Sequence, residues 1–335
     1  MIPNNIRLAW ALLTARGHNR RPIIVHMNVT NACNLKCSYC YGKYSNRPGV
    51  KDLDSPTLIK IIRQLAKSGT RRINFGAGEP LIRNDIGTLI NVAAEAGIVT
   101  SMNTNGHLVP KMIDKLKKLD TLCISLDGSK DVHDRFKGAG SHKMVMDAIR
   151  VANEAGMNVH TSTMLTKYNI DCIQEIVYLS VTKQFGTEWL LPFAQTNRTF
   201  LAKKHEYKDA LNYLIDTKQH GYPVVTSLAS LENARDWQWY EYRQSQVRLK
   251  LPCYAGRYMC IMDSDGKLYP CSQQVGTKFP ALNVAEVGFE KAWNNLKRNR
   301  CRSCYAFMAF LDASQLIDWN LSTIIDYAKN QREAK

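Results

Sequence analysis

The stretch VTNACNLKCSYCYGKY, residues 29–44, sets Cys33, Cys37 and Cys40 within eight positions in a C-x3-C-x2-C spacing. Three thiolates at that density can hold a metal centre, but a structural zinc site closes its tetrahedron with four ligands. A [4Fe-4S] cluster is ordinarily held by four cysteine thiolates, so three leave one iron open to a substrate or cofactor. The absent fourth ligand points to catalysis rather than scaffolding. The competing reading is an incomplete zinc site that recruits His26, which requires a strand residue ahead of the loop to fold back onto it.

The 335 residues around this loop are 45% hydrophobic, enough for one large core and a smaller second one. No apolar run approaches the roughly 18 residues of a membrane span and no cleavable signal pattern opens the chain, so a cytoplasmic protein is expected. That compartment argues against disulfides among the ten cysteines. Their clustering at 33–40 and 253–304 reads instead as metal ligation. Cys123, in the apolar run TLCISL, and Cys172 read as small buried hydrophobes. Forty-five basic against 29 acidic residues give a net charge of +16. Such a field favours nucleic acid, anionic lipid, a phosphorylated or otherwise acidic substrate, or an acidic electron-transfer protein. No low-complexity tract, long repeat or aromatic RNA-binding run accompanies it, and no nucleic acid is expected as the partner.

Six apolar runs of strand type, 22–29, 72–76, 98–106, 121–129, 157–165 and 188–195, alternate with amphipathic helical segments at 55–68, 82–96, 107–119, 141–155 and 169–184. This alternation predicts an α/β fold with a parallel sheet, open or partly closed into a barrel, and a site at the strand C-terminal ends. The cysteine loop follows strand one. Strand two runs into Gly76-Ala77-Gly78-Glu79-Pro80, where small residues allow a ligand close to the backbone. Strand three ends in Thr104-Asn105-Gly106, and strand four in Ser125-Leu126-Asp127-Gly128, followed by His133-Asp134-Arg135. Taken alone, Ser125 and Asp127 are ordinary turn residues and Arg135 a solvated charge.

In this order the motifs resemble the radical S-adenosylmethionine (SAM) enzymes, across residues 22–200. The resemblance implies a partial (β/α)6 TIM-like barrel that binds one [4Fe-4S] cluster and S-adenosylmethionine. It assigns Cys33, Cys37 and Cys40 to three irons, with the amino and carboxylate groups of S-adenosylmethionine on the fourth. It places Tyr39 beside the adenine and the backbone of Gly78 and Glu79 at the methionyl amino group. Asn105, Ser125 and Arg135 become cofactor contacts, Arg135 as a bidentate partner of the carboxylate. One departure is that the family's Gly-Gly-Glu-Pro reads Ala77-Gly78-Glu79-Pro80; the turn is expected to survive it.

Beyond residue 200 the pattern changes. A polar and aromatic connector, 201–250, contains Trp237, Trp239, Tyr240 and Tyr242, which either line a cavity or pack a domain joint. Residues 251–310 carry Cys253, Cys260, Cys271, Cys301 and Cys304, with Asp265-Gly266 marking a hairpin. This C-x12-G-x4-C hairpin followed by C-x2-C resembles the SPASM/twitch extension of the same superfamily. The resemblance assigns Cys253, Cys271, Cys301 and Cys304 to a second, auxiliary [4Fe-4S] cluster, with a zinc ribbon as the alternative. Cys260 is left over as a substitute ligand, a hydrogen donor in catalysis or an inert core thiol. Residues 311–335 read as a C-terminal helix. Residues 1–21 read as an N-terminal helix whose face Ile6, Ala9, Trp10 and Leu13, beside Arg16, Arg20 and Arg21, plugs the barrel's lower end, the alternative being peripheral membrane contact.

The resemblance implies an enzyme that reductively cleaves S-adenosylmethionine to a 5′-deoxyadenosyl radical and abstracts hydrogen from an unactivated C–H bond. A low-potential acidic donor, a flavodoxin or ferredoxin, fits the charge. Strand one begins near residue 22, leaving no room ahead of it for a leader-peptide recognition domain of usual size. A small-molecule, cofactor-precursor or lipid-like substrate is therefore expected first and a ribosomal peptide second. An iron–sulfur or zinc module that binds RNA is the alternative outside enzymology.

Overall fold

The computed structural model describes residues 3–17, 20–40, 47–192, 198–237, 240, 251–301, 304 and 308–333. Helix α1 (Asn4–Leu13) precedes β1 (Ile24–Thr30), and then strands and helices alternate: α2 (Ser55–Lys67), β2 (Arg72–Ala77), α3 (Ile86–Glu95), β3 (Val99–Thr104), α4 (Val109–Met112), β4 (Thr121–Ser125), α5 (Lys130–Lys137), α6 (Ser141–Glu154), β5 (Val159–Met164), α7 (Ile173–Thr182) and β6 (Gly186–Leu190). Further along come α8 (Lys204–Gln219), α9 (Leu228–Arg235), β7 (Met259–Met262), β8 (Lys267–Tyr269) and β9 (Leu282–Asn283). Among the described residues the strands run in the hydrogen-bonded order β6-β5-β4-β3-β2-β1-β7-β8-β9, an open sheet. The six expected strands are all present in a mostly parallel sheet that does not close and is extended by three more strands. The end of the sixth expected strand, 193–195, lies outside the described residues.

Local chemistry accounts for the elements. In β1 the side chains of Val25, Met27 and Val29 are buried on one face, while His26, Asn28 and Thr30 take the other, as a two-residue period requires. Asp54 caps α2 by accepting from the Thr57 amide at 3.0 Å, Pro56 occupies its first turn, and Leu58, Ile61, Ile62 and Leu65 form its buried stripe. The expected helix over 107–119 shortens to α4 and a following 3-10 turn, Ile113–Leu116.

The chain forms two compact units that part within β4. The first comprises Met1–Lys36, Gly42–Cys123 and Tyr254–Arg300. Here β1, β2 and β3 pair in parallel, and β7 lies parallel on the other side of β1, with Ile24 opposite Met259 and Met27 opposite Met262. The Asp265-Gly266 hairpin forms as expected between β7 and β8, Gly266 adopting φ +89°. Its strands extend the sheet that carries the cysteine loop.

The N-terminal helix packs through a different face from the expected one. Leu8, Ala11 and Leu12 are buried, whereas Ile6 and Trp10 expose 55% and 68% of their surface. Apolar residues occur around the whole of α1, so periodicity did not single out one stripe. Two of the neighbouring arginines are held within this unit. Arg16 donates to the Tyr254 hydroxyl at 3.0 Å, and Arg20 donates to the Trp293 carbonyl at 2.9 Å with its guanidinium 4.4 Å from the Trp293 ring centre. No helix among the described residues is long and apolar enough to cross a membrane.

The second unit comprises Cys37–Tyr41, Ile124–Cys253 and Cys301–Lys335. Within it β5 and β6 pair in parallel from His160–Gly186 to Met164–Leu190. The expected connector holds α8 and α9. In α8 the residues Tyr207, Ala210, Leu211, Leu214 and Ile215 are buried, a helical stripe that the polar composition of the segment masked. Trp237 and Tyr240 are also buried, Tyr240 lying 4.8 Å from Tyr207, so these two rings serve packing. Trp239 and Tyr242 lie outside the described residues.

The packing of α1 sets a test. In urea unfolding, Leu12→Ala should cost about 2–5 kcal/mol, and Trp10→Ser no more than about 0.5 kcal/mol. The reverse order would show that α1 is buried through Trp10.

Candidate active site

The cysteine loop leaves the end of β1 and returns to α2 through a neck closed by side chains of the first unit. Thr30 donates its hydroxyl to Asp52 Oδ2 at 2.6 Å, and the Asn31 amide donates to Asp52 Oδ1 at 2.8 Å. Arg83 bridges both limbs through Nη1, to the Val29 carbonyl at 2.9 Å and the Leu53 carbonyl at 3.0 Å, while Asp85 holds the rest of its guanidinium at 2.8–2.9 Å. The hairpin joins in. The Leu53 amide donates to the Ser264 carbonyl at 2.8 Å, and buried Asp263 accepts from Asn28 at 3.1 Å and from Arg47 as an ion pair. Burial alone would push the Asp263 carboxyl up, but the bonds from Arg47 and Asn28 hold it below the usual carboxylate range.

The Gly-Glu-Pro turn presses against the base of this loop. The Gly78 amide donates to the Thr30 carbonyl at 3.2 Å and the Glu79 amide to the Ala32 carbonyl at 2.9 Å. A Cβ on Gly78 would stand 2.1 Å from the Ala32 oxygen, so only glycine fits where the loop turns toward Cys33. Ala77 adopts φ +112°, a region that favours glycine. The turn thus survives its alanine, as expected, but in a strained backbone. The Glu79 carboxylate is fully buried and accepts from Thr104 Oγ1 at 2.8 Å, the Asn105 amide at 2.8 Å and the Leu81 amide at 3.1 Å, tying the turn to the end of β3. Asn105 donates on to Asn34 Oδ1 at 2.7 Å, inside the cysteine loop.

In the second unit the loop tip is held by a buried charged network. The Tyr39 hydroxyl donates to Asp127 Oδ2, and Lys137 Nζ lies 3.4 Å from the same oxygen and 5.2 Å from the Tyr39 ring centre. The Asp127 amide donates to His133 Nδ1 at 3.1 Å, and its carbonyl accepts from Asn169 at 2.7 Å. Burial, and then the Asp127 charge, push the Tyr39 hydroxyl well above its ordinary pKa. Ser125 ends β4, half-buried. Arg135 is exposed on α5 with its guanidinium 5.4 Å from the Tyr168 ring centre. Asp134 accepts from the Gly140 and His142 amides at 3.1 and 2.7 Å, which orders the start of α6.

The remaining candidates are distributed as follows. Cys37 and Cys40 are free, half-buried thiols, and burial pushes the Cys37 thiol up. Cys33 Sγ accepts from the Leu35 amide at 3.4 Å. Cys271 belongs to the first unit, Cys253, Cys301 and Cys304 to the second, where Asn233 donates to the Cys304 carbonyl at 3.0 Å. Cys260 is fully buried in β7 and its thiol is pushed up by that burial. Cys123 is buried as expected, whereas Cys172 is only half-buried. His26 stays in its strand with Nδ1 3.2 Å from Asn74 Nδ2, and burial lowers its pKa to about 3. Asp52, Arg83, Asp263 and Lys137 are the site residues that sequence reasoning missed.

A cysteine-bearing loop at the C-terminal end of a parallel strand, with a glycine turn pressed on its base, is the framework of a cofactor-binding α/β enzyme. Residues 27–179 match the model of the radical SAM superfamily, and the likeness to relatives and to solved structures runs well beyond that segment. It is similar to the mycofactocin maturase MftC of Mycolicibacterium smegmatis, 26% identical over 308 residues, covering 86% of this chain and 76% of that protein. It is also similar to the AdoMet-dependent heme synthase of Methanosarcina barkeri, 23% identical over 295 residues, 82% of each chain. Among solved structures, SuiB of Streptococcus suis bound to its precursor peptide SuiA aligns with TM-score 0.66 at 19% identity, covering 86% of this chain and 68% of SuiB.

Members of this superfamily use a [4Fe-4S] cluster and S-adenosylmethionine, and the residues present fit that pair. The loop supplies thiols, and the missing Cβ of Gly78 lets the glycine turn seat against the Ala32 carbonyl at the loop's base, next to Cys33. No three His, Cys, Asp or Glu side chains among the described residues meet at the spacing of a single ion.

Two outcomes follow from these contacts. Gly78→Ala should lose iron incorporation at the loop, read by its absorbance after anaerobic reconstitution, whereas Ala77→Gly should keep it and raise the unfolding temperature. A Gly78→Ala protein with full iron would contradict the close approach. The imidazoles of His26 and His133, lowered by burial to about 3 and about 4 from the ordinary 6.5, favour the fold when neutral. That contribution is complete above about pH 6.5 and is lost as the pH falls toward the folded values. His26→Gln should therefore flatten the decline of the urea midpoint between pH 6.5 and 4; an unchanged slope would contradict the assignment.

Proposed function

We propose that the chain is a radical SAM maturase that abstracts a hydrogen atom from an unactivated C–H bond of a peptide. The observation carrying this reading is that the likeness to MftC and to the peptide-bound SuiB covers 86% of the chain, well beyond the matched residues 27–179. It reverses the order of substrates expected from sequence. In this reading Cys33, Cys37 and Cys40 hold three irons, and Cys253, Cys271, Cys301 and Cys304 hold an auxiliary [4Fe-4S] cluster. When bound, cluster and S-adenosylmethionine supply the one-electron chemistry that removes hydrogen from carbon.

The chain's own residues bind and orient. Tyr39, Ser125, Asn105 and Arg135 contact S-adenosylmethionine, and the backbone at Gly78 and Glu79 receives its amino group. The Glu79 side chain, already accepting three hydrogen bonds in full burial, is a brace rather than a base. A low-potential acidic donor of flavodoxin or ferredoxin type suits the net charge of +16.

A second reading, a cofactor precursor with carboxylate side chains, has support from the heme synthase relative and from one face of the sheet. Across β1, β2 and β3, His26, Asn74 and Ser101 stand in register, and Asn103 accepts from Asn74 at 2.7 Å. Half-buried Arg72 begins the same face of β2 and donates to Ser101 Oγ at 3.3 Å, a cation suited to a carboxylate.

Anaerobically reconstituted protein with dithionite should form 5′-deoxyadenosine and carry about eight irons per chain. Cys37→Ala should abolish the product, and loss of Cys33, Cys37 and Cys40 together should leave about four irons. Zinc without iron in that triple variant would refute the auxiliary cluster. Deuterium passing into 5′-deoxyadenosine from a labelled peptide supports the maturase, and transfer only from a carboxylated tetrapyrrole replaces it with the second reading.

A further inference from the structure

We propose that Lys137 is a positioning and electrostatic residue for the iron–sulfur cluster of the Cys37 loop, its buried ammonium fixing Tyr39 and raising the cluster's reduction potential. The inference rests on the reading of Cys37 as a ligand. Lys137 is the last residue of α5, and its side chain is only 8% exposed. Lysine is rarely buried to that degree without a partner. Its partner is Asp127, 3.4 Å away and 2% exposed, which also accepts the Tyr39 hydroxyl.

Asp127 is held in place through its backbone, by His133 on its amide and Asn169 on its carbonyl. His133 is in turn 3.2 Å from Ser141 Oγ, and with its pKa near 4 it is neutral at neutral pH. Tyr39 packs edge-on against Phe136 and Phe200 at 5.3 and 6.1 Å. The Asp127 carboxylate and the Lys137 ammonium are therefore the two charges facing this ring in the network. A carboxylate 3.4 Å away and likewise buried favours the charged ammonium over the neutral amine.

Tyr39, whose ring centre lies 5.2 Å from the ammonium, sits between Cys37 and Cys40 in the chain. Reducing a cluster adds negative charge, and a cation in a poorly screened interior favours that state. The potentials of such clusters respond to nearby charge and solvent exposure. The ammonium is thus placed to ease the low-potential electron transfer on which the proposed reaction depends.

The test is an EPR-monitored redox titration of the anaerobically reconstituted full chain, following the signal that changes when S-adenosylmethionine is added. Lys137→Met should lower the reduction equilibrium at least tenfold, about 59 mV more negative for one electron. Lys137→Arg should stay within threefold of wild type, and Asp127→Asn should shift the opposite way. If Lys137→Met cannot hold a cluster, the double variant Asp127→Asn/Lys137→Met is compared with Asp127→Asn alone and should be at least tenfold harder to reduce. A Lys137→Met or double-variant midpoint within threefold of its reference would overturn the electrostatic role. A wild type without a SAM-responsive signal overturns the ligand reading, and the inference with it.

Discussion

The Asp52 carboxylate, accepting from Thr30 and the Asn31 amide, together with Arg83 spanning Val29 and Leu53, closes the loop on which the site depends. A flexible loop of about twenty residues costs roughly 3 kcal/mol plus a constant to close. Hydrogen bonds to charged groups contribute about 1.5–3 kcal/mol each. Several such bonds at the neck offset that cost before any iron arrives. The base of the loop is accordingly an ordered structure of the polypeptide.

The neck also gives the C-terminal hairpin a physical role. Asp263 and Ser264 follow β7, which lies against β1, and they reach Asn28, Arg47 and Leu53 on the two limbs of the loop. Residues more than 200 positions apart in sequence thus share one polar cluster. A substitution in the hairpin can reach the cysteine loop without touching a ligand.

Much of this was legible from the residues themselves. Cysteine spacing and strand alternation located the loop, the glycine turn and the strand ends, because each is a local pattern with a local cause. The bracing was not legible. Asp52, Arg83 and Asp263 look like surface charges in sequence, and their partners are fixed only by the register of the strands that carry them. Lys137 is harder still, since nothing in DVHDRFKG marks a lysine for burial. Ala77 was read as a harmless small residue, yet its cost lies in φ rather than in size. In α1 apolar residues on every side left the packing face to tertiary contacts, and in α8 a sound helical stripe was hidden by charged neighbours.

The central claim is that the neck is closed by the chain's own hydrogen bonds, and native-state hydrogen exchange on the metal-free protein tests it most directly. The Asn31 amide, bonded to Asp52, and the Glu79 amide, bonded to the Ala32 carbonyl, should be protected as strongly as the amides inside β1. Exchange of both at the rate of an unprotected loop, with β1 still protected, would contradict the account.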